Sequence, residues 1–377
     1  MTTVPTRDAA QVDTGVGSLD RQIRAIHDRV LETAPAVARM ACALYDPADD
    51  LLKTFVNSTR EGTALSGYQY RLGDSESLSL LARSLEPRLL TDLEHQLNPY
   101  ANTHSAYVLD QGYRSSFTVP LVHRGDFIGI VFFDSRETDT FTPAVMRELL
   151  LHASLIGLAI ANEMVAVSSI VGTIQLARDF TQLRDDETGA HVDRMARYSR
   201  VMARELADEF GFADEDVEHV FLYAPMHDIG KIGIPDRILL KPGRLDAAEW
   251  EVMKTHTTKG ASMVDAIIRD LELADVPDEE MLRAVVELHH EKLDGSGYPH
   301  GLRGDQIPPA ARIVAIADIF DALTSRRPYK EPWTFDDAFT ELRRMADAGT
   351  IDTRCVEALA RCTDELAEIR ERYPDPE

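Results

Sequence analysis

Residues 225–233 read PMHDIGKIG, and this stretch sets the character of the second half of the chain. An apolar run ends there in an adjacent histidine and aspartate, His227 and Asp228, and Lys231 follows three positions later. An isolated His–Asp dipeptide at the end of a helix is most often only a polar helix terminus. The pair becomes informative because other histidines and carboxylates lie on both sides of it in the same half of the chain.

This half of the chain has helical spacing throughout. Apolar residues recur at three- and four-residue steps after residue 185, and Gly211 supplies a stop signal. Asp246 and Glu249 have the spacing of a capping box at the start of another helix. Further helices are predicted at about 279–291, 309–325, 335–347 and 353–371. We therefore expect an all-α domain.

Several candidate metal ligands accompany the His–Asp pair. Glu187 and His191 are four residues apart and share a helix face. Asp318 interrupts the apolar run RIVAIADIFDAL, where an unpaired carboxylate is costly. His256, and the adjacent pair His289 and His290, complete the set. Read singly, each is better explained as a solvated or packed polar residue, but neighbouring histidines on different helix faces suit two metals side by side.

Imidazole and carboxylate ligands without thiolates are typical of iron, manganese or zinc in hydrolytic sites. Two such ions, about 3.5–4 Å apart, lower the pKa of a bridging water and hold both the attacking and the leaving oxygen of a phosphodiester. The candidate ligands therefore predict hydrolysis of a phosphate ester.

Five blocks in this half closely resemble the HD-GYP family of cyclic di-GMP phosphodiesterases, a branch of the HD phosphohydrolase superfamily. The resemblance covers about residues 170–371. The blocks are ETGAH (187–191), HDIGKIGIPDRILLKPGRL (227–245), MKTH (253–256), HHEKLDGSGYPHGLRGDQIP (289–308) and RIVAIADIFDALTSRRPYK (312–330).

The resemblance implies a site with two divalent metal ions, iron or manganese, that hydrolyses cyclic di-GMP to linear pGpG by a metal-bound hydroxide. The sequence leaves open whether pGpG is then cleaved to GMP. Asp228 would bridge the metals, Lys231 would act at the scissile phosphate, and Glu187 would permit a third ion. The implied metal ligands are Glu187, His191, His227, Asp228, His256, His289, His290 and Asp318.

The resemblance also implies substrate contacts beyond the metals. The residues implied to bind substrate are Lys231, Asp321, Arg327 and Lys330, together with Gly297, Tyr298 and Pro299 of the GYP loop. Glycine and proline also fix a tight turn beside the histidine pair, so a purely structural role of this loop is an equal alternative. The family further implies diguanylate cyclase partners for the loop.

The first half of the chain has a different pattern. Residues 1–18 are polar and small and predict a disordered lead-in. Apolar runs at 38–46, 50–58, 116–123 and 126–135, separated by turn residues, predict an antiparallel sheet with flanking helices. This α+β module, residues 19–165, resembles a GAF domain. Its ligand cannot be read from the sequence.

A connecting helix over 146–184 overlaps the exit helix of the first domain. Apolar or small residues repeat there in steps of three and four, a heptad seam. The seam predicts a homodimer through a parallel coiled coil, at least beyond Val167, and packing of Met146–Ile160 against the preceding sheet is an equal alternative. The seam consists of Met146, Leu149, Ala153, Ile156, Ile160, Val167, Ile170, Ile174 and Ala177.

Charge and composition restrict the partners and the compartment. A formal net charge of -24 disfavours nucleic acid polymers and anionic membranes. The N-terminus lacks the pattern of a signal peptide. The apolar stretch 149–161, about thirteen residues, is too short and too polar to span a bilayer. Three cysteines without metal-type spacing suit a reducing compartment. We expect a cytoplasmic protein without membrane insertion.

Two alternatives to a cyclic di-GMP phosphodiesterase remain open from the sequence. One is a catalytically silent adaptor that binds a cyclic dinucleotide or a protein. The other is a phosphodiesterase for a different cyclic dinucleotide.

Overall fold

The computed structural model describes residues 19–60, 67–97, 108–182, 189–270, 276, 278–326 and 331–375. The chain divides into two compact units, Met1–Met164 and Val165–Glu377. The predicted lead-in, residues 1–18, lies outside the described residues.

The first unit is built on an antiparallel sheet with the strand order β3-β2-β1-β6-β5-β4 in the described part of the chain. The strands are β1 (Val37–Asp46), β2 (Leu51–Thr59), β3 (Gln69–Arg71), β4 (Arg88–Leu90), β5 (Ser115–His123) and β6 (Asp126–Ser135). The helices are α1 (Leu19–Thr33), α2 (Glu76–Ser84), α3 (Leu93–Gln96) and the first part of α4 (Pro143–Gln182). The predicted sheet with flanking helices is confirmed.

The β5–β6 hairpin forms where the sequence predicts it. His123 pairs with Asp126, so the loop has only two residues. Those residues, Arg124 and Gly125, have φ angles of 54° and 94°, the left-handed conformation that two-residue hairpin loops require.

Each face of the sheet packs against different helices. On one face, buried residues of α1 and α4 join residues of the central strands, such as Met40 and Phe133. On the other face, Leu78 and Leu81 of α2 pack with Ile130 of β6. The alternation of side chains along each strand therefore supplies two apolar layers.

The first half of the heptad seam packs inside the first unit. Leu149, Ala153, Ile156 and Ile160 of α4 are at most 2% exposed and belong to the core beneath the sheet. A coiled-coil contact through these positions is therefore wrong, and the alternative of packing against the preceding sheet is correct. The side chains of Val167, Ile170, Ile174 and Ala177 lie outside the described residues.

The apolar part of α4 is longer than the stretch considered from the sequence. Pro143–Met164 has a mean hydropathy of 1.6 and would be long and apolar enough to cross a membrane by length and composition. One of its faces packs on the sheet. Leu151, Leu155 and Leu158, on the opposite face, are 52–68% exposed.

The second unit is all-helical, as predicted. Its helices are the end of α4, α5 (Gly189–Glu205), α6 (Ala207–Phe210), α7 (Asp214–Tyr223), α8 (Asp236–Leu239), α9 (Ala247–Lys254), α10 (His256–Asp270), α11 (Glu279–Leu288), α12 (Pro309–Thr324), α13 (Phe335–Asp347), α14 (Thr353–Arg361) and α15 (Thr363–Arg372). Asp246 accepts from the backbone of Glu249 and the Glu249 side chain accepts in return, so the predicted capping box is confirmed. Gly211, with a φ of 71°, ends α6.

Buried apolar residues of α5 and α12 lie at the centre of this unit, where Tyr198 packs edge-on against Phe320. Around this core, short 3-10 turns at Ala224–Met226 and Ile229–Gly233 carry the quoted stretch. A Cβ at Gly230 would lie 1.7 Å from the carbonyl oxygen of His256. Only glycine allows this close approach, which brings the His227–Asp228 turn against the start of α10.

Candidate metal centre

The seven metal ligands predicted in the described residues lie together and form two groups. In each group, one ligand atom from every member lies within 4.8 Å of the others. Five different elements contribute these residues, and most contribute them at or near a helix end. The first group is Asp228, His256, His289 and His290, and the second is His191, His227 and Asp318.

Hydrogen bonds fix the tautomers of four of the histidines. The Nδ1 atoms of His227, His256 and His289 lie 2.8–3.1 Å from backbone carbonyl oxygens of the preceding turn. Nδ1 of His191 lies 2.7 Å from a carboxylate oxygen of Asp321. Because these oxygens only accept, Nδ1 carries the proton and Nε2 keeps a lone pair in the neutral ring. All four rings therefore present a metal-ligating nitrogen.

These Nε2 atoms converge on carboxylates and on one another. Nε2 of His227 lies 3.1 Å from Asp228 Oδ2, and Nε2 of His256 lies 3.2 Å from Asp228 Oδ1. Nε2 of His256 and Nε2 of His289 are 3.5 Å apart. Lone pairs that face each other at these distances repel, and a cation among them turns the repulsion into coordination. The donor set therefore fits divalent metal ions.

Burial keeps the histidine pair neutral. It lowers the pKa of His290 to about 3, and the neighbouring carboxylate of Asp228 only partly opposes this. Burial, followed by the neighbouring imidazoles of His290 and His227, likewise holds the pKa of His289 well below its ordinary value. Neutral imidazole is the form that binds metals.

Asp228 stays ionised although its surroundings are dry. Burial alone would raise the pKa of this carboxyl, but the Lys231 ammonium, 2.9 Å from Oδ2, is the strongest of the opposing effects that hold it well below the ordinary value. Asp228 adjoins His227 in the chain, so this one carboxylate joins the two groups. That is the position that a bridging ligand requires.

Comparisons with known proteins agree with this arrangement. Residues 180–355 match the family model described as "HD domain", and residues 19–160 match the model described as "GAF domain". The chain carries a GAF domain and an HD domain. In three curated relatives the region similar to this chain is 192 to 202 residues long, about the length of the HD domain.

These relatives come from three bacteria. "3'3'-cGAMP-specific phosphodiesterase 2" of Vibrio cholerae is 42% identical over 52% of this chain and 35% of its own length. "Cyclic di-GMP phosphodiesterase" of Thermotoga maritima is 39% identical over 54% of this chain and 52% of its own. "Cyclic di-GMP phosphodiesterase response regulator RpfG" of Xanthomonas campestris is 44% identical over 50% and 47%. The chain thus spans about a third to a half of the length of these relatives.

One predicted substrate contact of the HD domain is wrong. Asp321 is completely buried, so it cannot reach a substrate. Its carboxylate accepts from Nδ1 of His191 and, at 2.6 and 2.9 Å, from Nε and Nη2 of Arg194. Burial would raise the pKa of Asp321, but the hydrogen bonds from Arg194 and His191 hold it at about 2. Asp321 therefore orients the candidate ligand His191 from behind.

The GYP loop lies against the histidine pair. The ring of Tyr298 lies 4.8 Å from that of His290, between ring centroids, and the Tyr298–Pro299 peptide is cis. A Cβ at Gly297 would lie 2.3 Å from the backbone nitrogen of Lys292, so this position requires glycine.

Sequence reasoning missed the residue that holds this loop. The buried carboxylate of Glu291 accepts three backbone N–H groups, from His300 at 2.6 Å and from Gly301 and Leu302 at 3.0 Å. An acidic residue directly after His290 and ahead of a glycine-rich loop was the available signal. Trp250, 47% exposed and edge-on to Tyr298 at 6.2 Å, was also missed.

Three predicted site residues lie outside the described part of the chain. They are Glu187, Arg327 and Lys330.

Proposed function

We propose that the HD domain is a metal-dependent phosphodiesterase that hydrolyses cyclic di-GMP to linear pGpG and further to GMP. The observation that carries the proposal is the meeting of two metal-ligating groups at the adjacent residues His227 and Asp228. One carboxylate that joins two clusters of imidazole side chains has the composition of a dinuclear hydrolytic site. The names of the relatives support the substrate.

In this proposal the seven residues of the two groups hold two ions, and Glu187 is the candidate ligand for a third. Iron or manganese fits the all-nitrogen-and-oxygen donor set. The ions would supply the Lewis acidity that ionises a water and neutralises charge on the phosphodiester. Asp228, ionised between the two groups of ligands, would bind the ions of both groups.

Lys231 is proposed to act on the substrate itself. Its Nζ lies 2.9 Å from Asp228 Oδ2, and the side chain is 21% exposed, so the ammonium borders both the metal groups and solvent. There it would hold non-bridging oxygens of the scissile phosphate. Arg327 and Lys330 are proposed to hold the second phosphate.

Two aromatic side chains at the edge of the site, Tyr298 and Trp250, support the proposal of a nucleotide substrate. Tyr298 packs on His290, and Trp250 stands edge-on to Tyr298 with about half of its surface exposed. Nucleobases stack on such side chains. Gly297 and Pro299 hold Tyr298 in place. We propose that these three residues of the GYP loop have a structural role and also contact the substrate.

Turnover tests this proposal directly. The full chain, purified without oxygen and loaded with iron or manganese, is expected to convert cyclic di-GMP to pGpG and GMP, measured by chromatography of the products. A chelator is expected to stop the reaction and re-addition of metal to restore it. Binding of cyclic di-GMP without turnover in either metal would support the adaptor instead.

A second candidate substrate is 3'3'-cGAMP, because one of the relatives, at 42% identity, bears that specificity in its name. The same assay compares kcat/KM for the two dinucleotides. A value for 3'3'-cGAMP more than tenfold above that for cyclic di-GMP would assign the site to the second substrate.

We further propose a cytoplasmic protein with a GAF domain at 19–165, a connecting helix at 146–184 and an HD-GYP domain at 170–371. The GAF domain would regulate turnover through this helix, and diguanylate cyclases are candidate partners for the GYP loop.

The homodimer is proposed to form along α4. Leu151, Leu155 and Leu158 share a helix face at spacings of four and three residues and are exposed. Leu155→Arg is expected to shift the protein toward the monomer in light scattering at micromolar concentration, because it puts a charge into the apolar contact. Leu240→Arg is the control, because it makes the same change at a leucine that is 48% exposed and lies outside α4. Equal behaviour of both variants would argue against this face.

A further inference from the structure

The GAF domain contains a cavity of about 630 Å³. It lies wholly within the first unit, between the sheet and the segment that includes α2 and α3. Much of its lining is apolar, including Leu52, Leu78 and Phe132, and Tyr68 and Tyr70 add two stacked rings. Cavities of this volume and character hold small organic molecules.

One cation in this cavity lacks an acidic partner. The guanidinium of Arg88, on strand β4, donates to two hydroxyl oxygens, Ser77 Oγ at 2.6 Å and Thr118 Oγ1 at 3.1 Å. Within the described residues it forms no ion pair with a carboxylate. Burial lowers the pKa of Arg88 to about 10, and the nearby carboxylate of Asp134 only partly opposes this, so the group is still charged at neutral pH. A half-buried guanidinium whose described hydrogen-bond acceptors are both neutral hydroxyls favours an anion beside it.

The other buried charges of the cavity compensate each other. Arg39 donates to Asp134 at 2.7 Å, and both side chains are at most 5% exposed. Ser116 Oγ donates to the second oxygen of Asp134 at 2.7 Å. Asp74 and Glu76 also line the cavity, but both are exposed to water. Among the described lining residues that are not exposed, Arg39 and Arg88 are positive and Asp134 is negative, so one positive charge is in excess there.

We propose that this cavity binds a small organic monoanion, with an apolar or aromatic body against Leu52, Leu78 and Phe132 and one carboxylate paired with Arg88. A carboxylate matches the forked geometry of the guanidinium, and its single negative charge matches the one positive charge in excess among the described lining residues. A phosphate dianion would leave one charge unbalanced beside the buried carboxylate of Asp134. The site is separate from the HD domain and does not depend on its proposed activity.

Two matched fluorescent probes test the proposal on the full chain. 8-Anilinonaphthalene-1-sulfonate carries one negative charge, and N-phenyl-1-naphthylamine has the same aromatic body without it. Arg88→Gln is expected to weaken binding of the anionic probe at least tenfold and to change binding of the neutral probe less than twofold. Arg83→Gln, an equal charge change on the exposed surface of α2, is expected to leave both unchanged.

A cavity-filling variant tests the location. Ala41 is 2% exposed and lines the cavity. Because the phenyl ring of Ala41→Phe would fill part of this space, the variant is expected to weaken the binding of both probes. Circular dichroism of each variant checks that the fold is retained. Arg88→Lys, which keeps the charge, is expected to preserve most of the affinity for the anionic probe.

Competition distinguishes the two kinds of anion. 1-Naphthylacetate is expected to displace the anionic probe at a concentration at least tenfold below that required for 1-naphthyl phosphate. Stronger competition by the phosphate would overturn the choice of a monoanion. Equal effects of Arg88→Gln and Arg83→Gln, or no saturable binding to the unsubstituted chain, would overturn the site itself.

Discussion

Asp228→Asn is expected to lower kcat/KM for cyclic di-GMP about a thousand-fold and to remove most of the bound metal. Asparagine has the same shape but no charge, and Asp228 is the carboxylate that joins the two groups, with oxygens 3.1 Å from Nε2 of His227 and 3.2 Å from Nε2 of His256. Metal ions contribute several kcal/mol of transition-state stabilisation, and a loss of about 4 kcal/mol corresponds to that factor. Metal analysis and steady-state kinetics measure the two effects.

The matched control for this variant is Asp270→Asn. Asp270 lies at the end of α10, and its side chain is 73% exposed, so the same chemical change there is expected to leave metal content and kcat/KM unchanged. Full turnover by Asp228→Asn with its metal retained would disprove the bridging assignment. Loss of metal without loss of turnover would instead disprove the metal dependence of the reaction.

Asp321→Asn is expected to lower both the free energy of unfolding of the HD domain and its affinity for metal. Arg194 is 1% exposed and donates to both oxygens of Asp321, so the substitution removes its buried counter-charge and leaves Asp375, 20% exposed and 2.9 Å from Nη2, as its carboxylate partner in the described residues. Complete loss of a buried partner costs about 3–5 kcal/mol in the free energy of unfolding, and we expect a loss toward the lower end of that range because Asp375 remains. His191 also loses the acceptor that orients its ring. Loss of such a partner typically weakens metal affinity about 10–100-fold.

A second buried ion pair separates the two effects. Asp352 is 5% exposed and pairs with Arg312 at 3.1 Å, in the same domain but without a contact to any candidate ligand. Asp352→Asn is expected to lower the free energy of unfolding measured in urea, as Asp321→Asn does, but to leave metal affinity unchanged. If both variants weaken metal binding equally, Asp321 acts only through overall stability.

Local sequence patterns predicted much of the fold because their causes are local. The β5–β6 hairpin depends on an Arg–Gly turn and alternating strands, and the capping box depends on Asp246 and Glu249 three residues apart. The elements of the site were likewise visible in ordered blocks of histidine and aspartate. Their chemistry, nitrogen and oxygen donors without thiolates, could be read from residue types alone.

Contacts between distant segments could not be read in this way. Asp321 was assigned to the substrate because its position matches a substrate contact in the HD-GYP family, yet it faces Arg194, 127 residues earlier in the chain. The seam of α4 was periodic enough for a coiled coil, but periodicity does not say which surface covers an apolar face. Here the sheet of the same unit covers the part of the seam from Leu149 to Ile160.

The sequence by itself determined the two kinds of domain, the donor atoms and the positions of the turns, because residue type and short-range spacing control these properties. The tertiary structure alone decided that the donors form two groups joined at Asp228 and that Asp321 supports a ligand instead of touching substrate. It also decided that Arg88 lies in a cavity where, among the described residues, its hydrogen bonds go to hydroxyl groups. Each of these depends on which side chains share a buried space after long-range packing, and that packing sets the local charge balance and exposure to water.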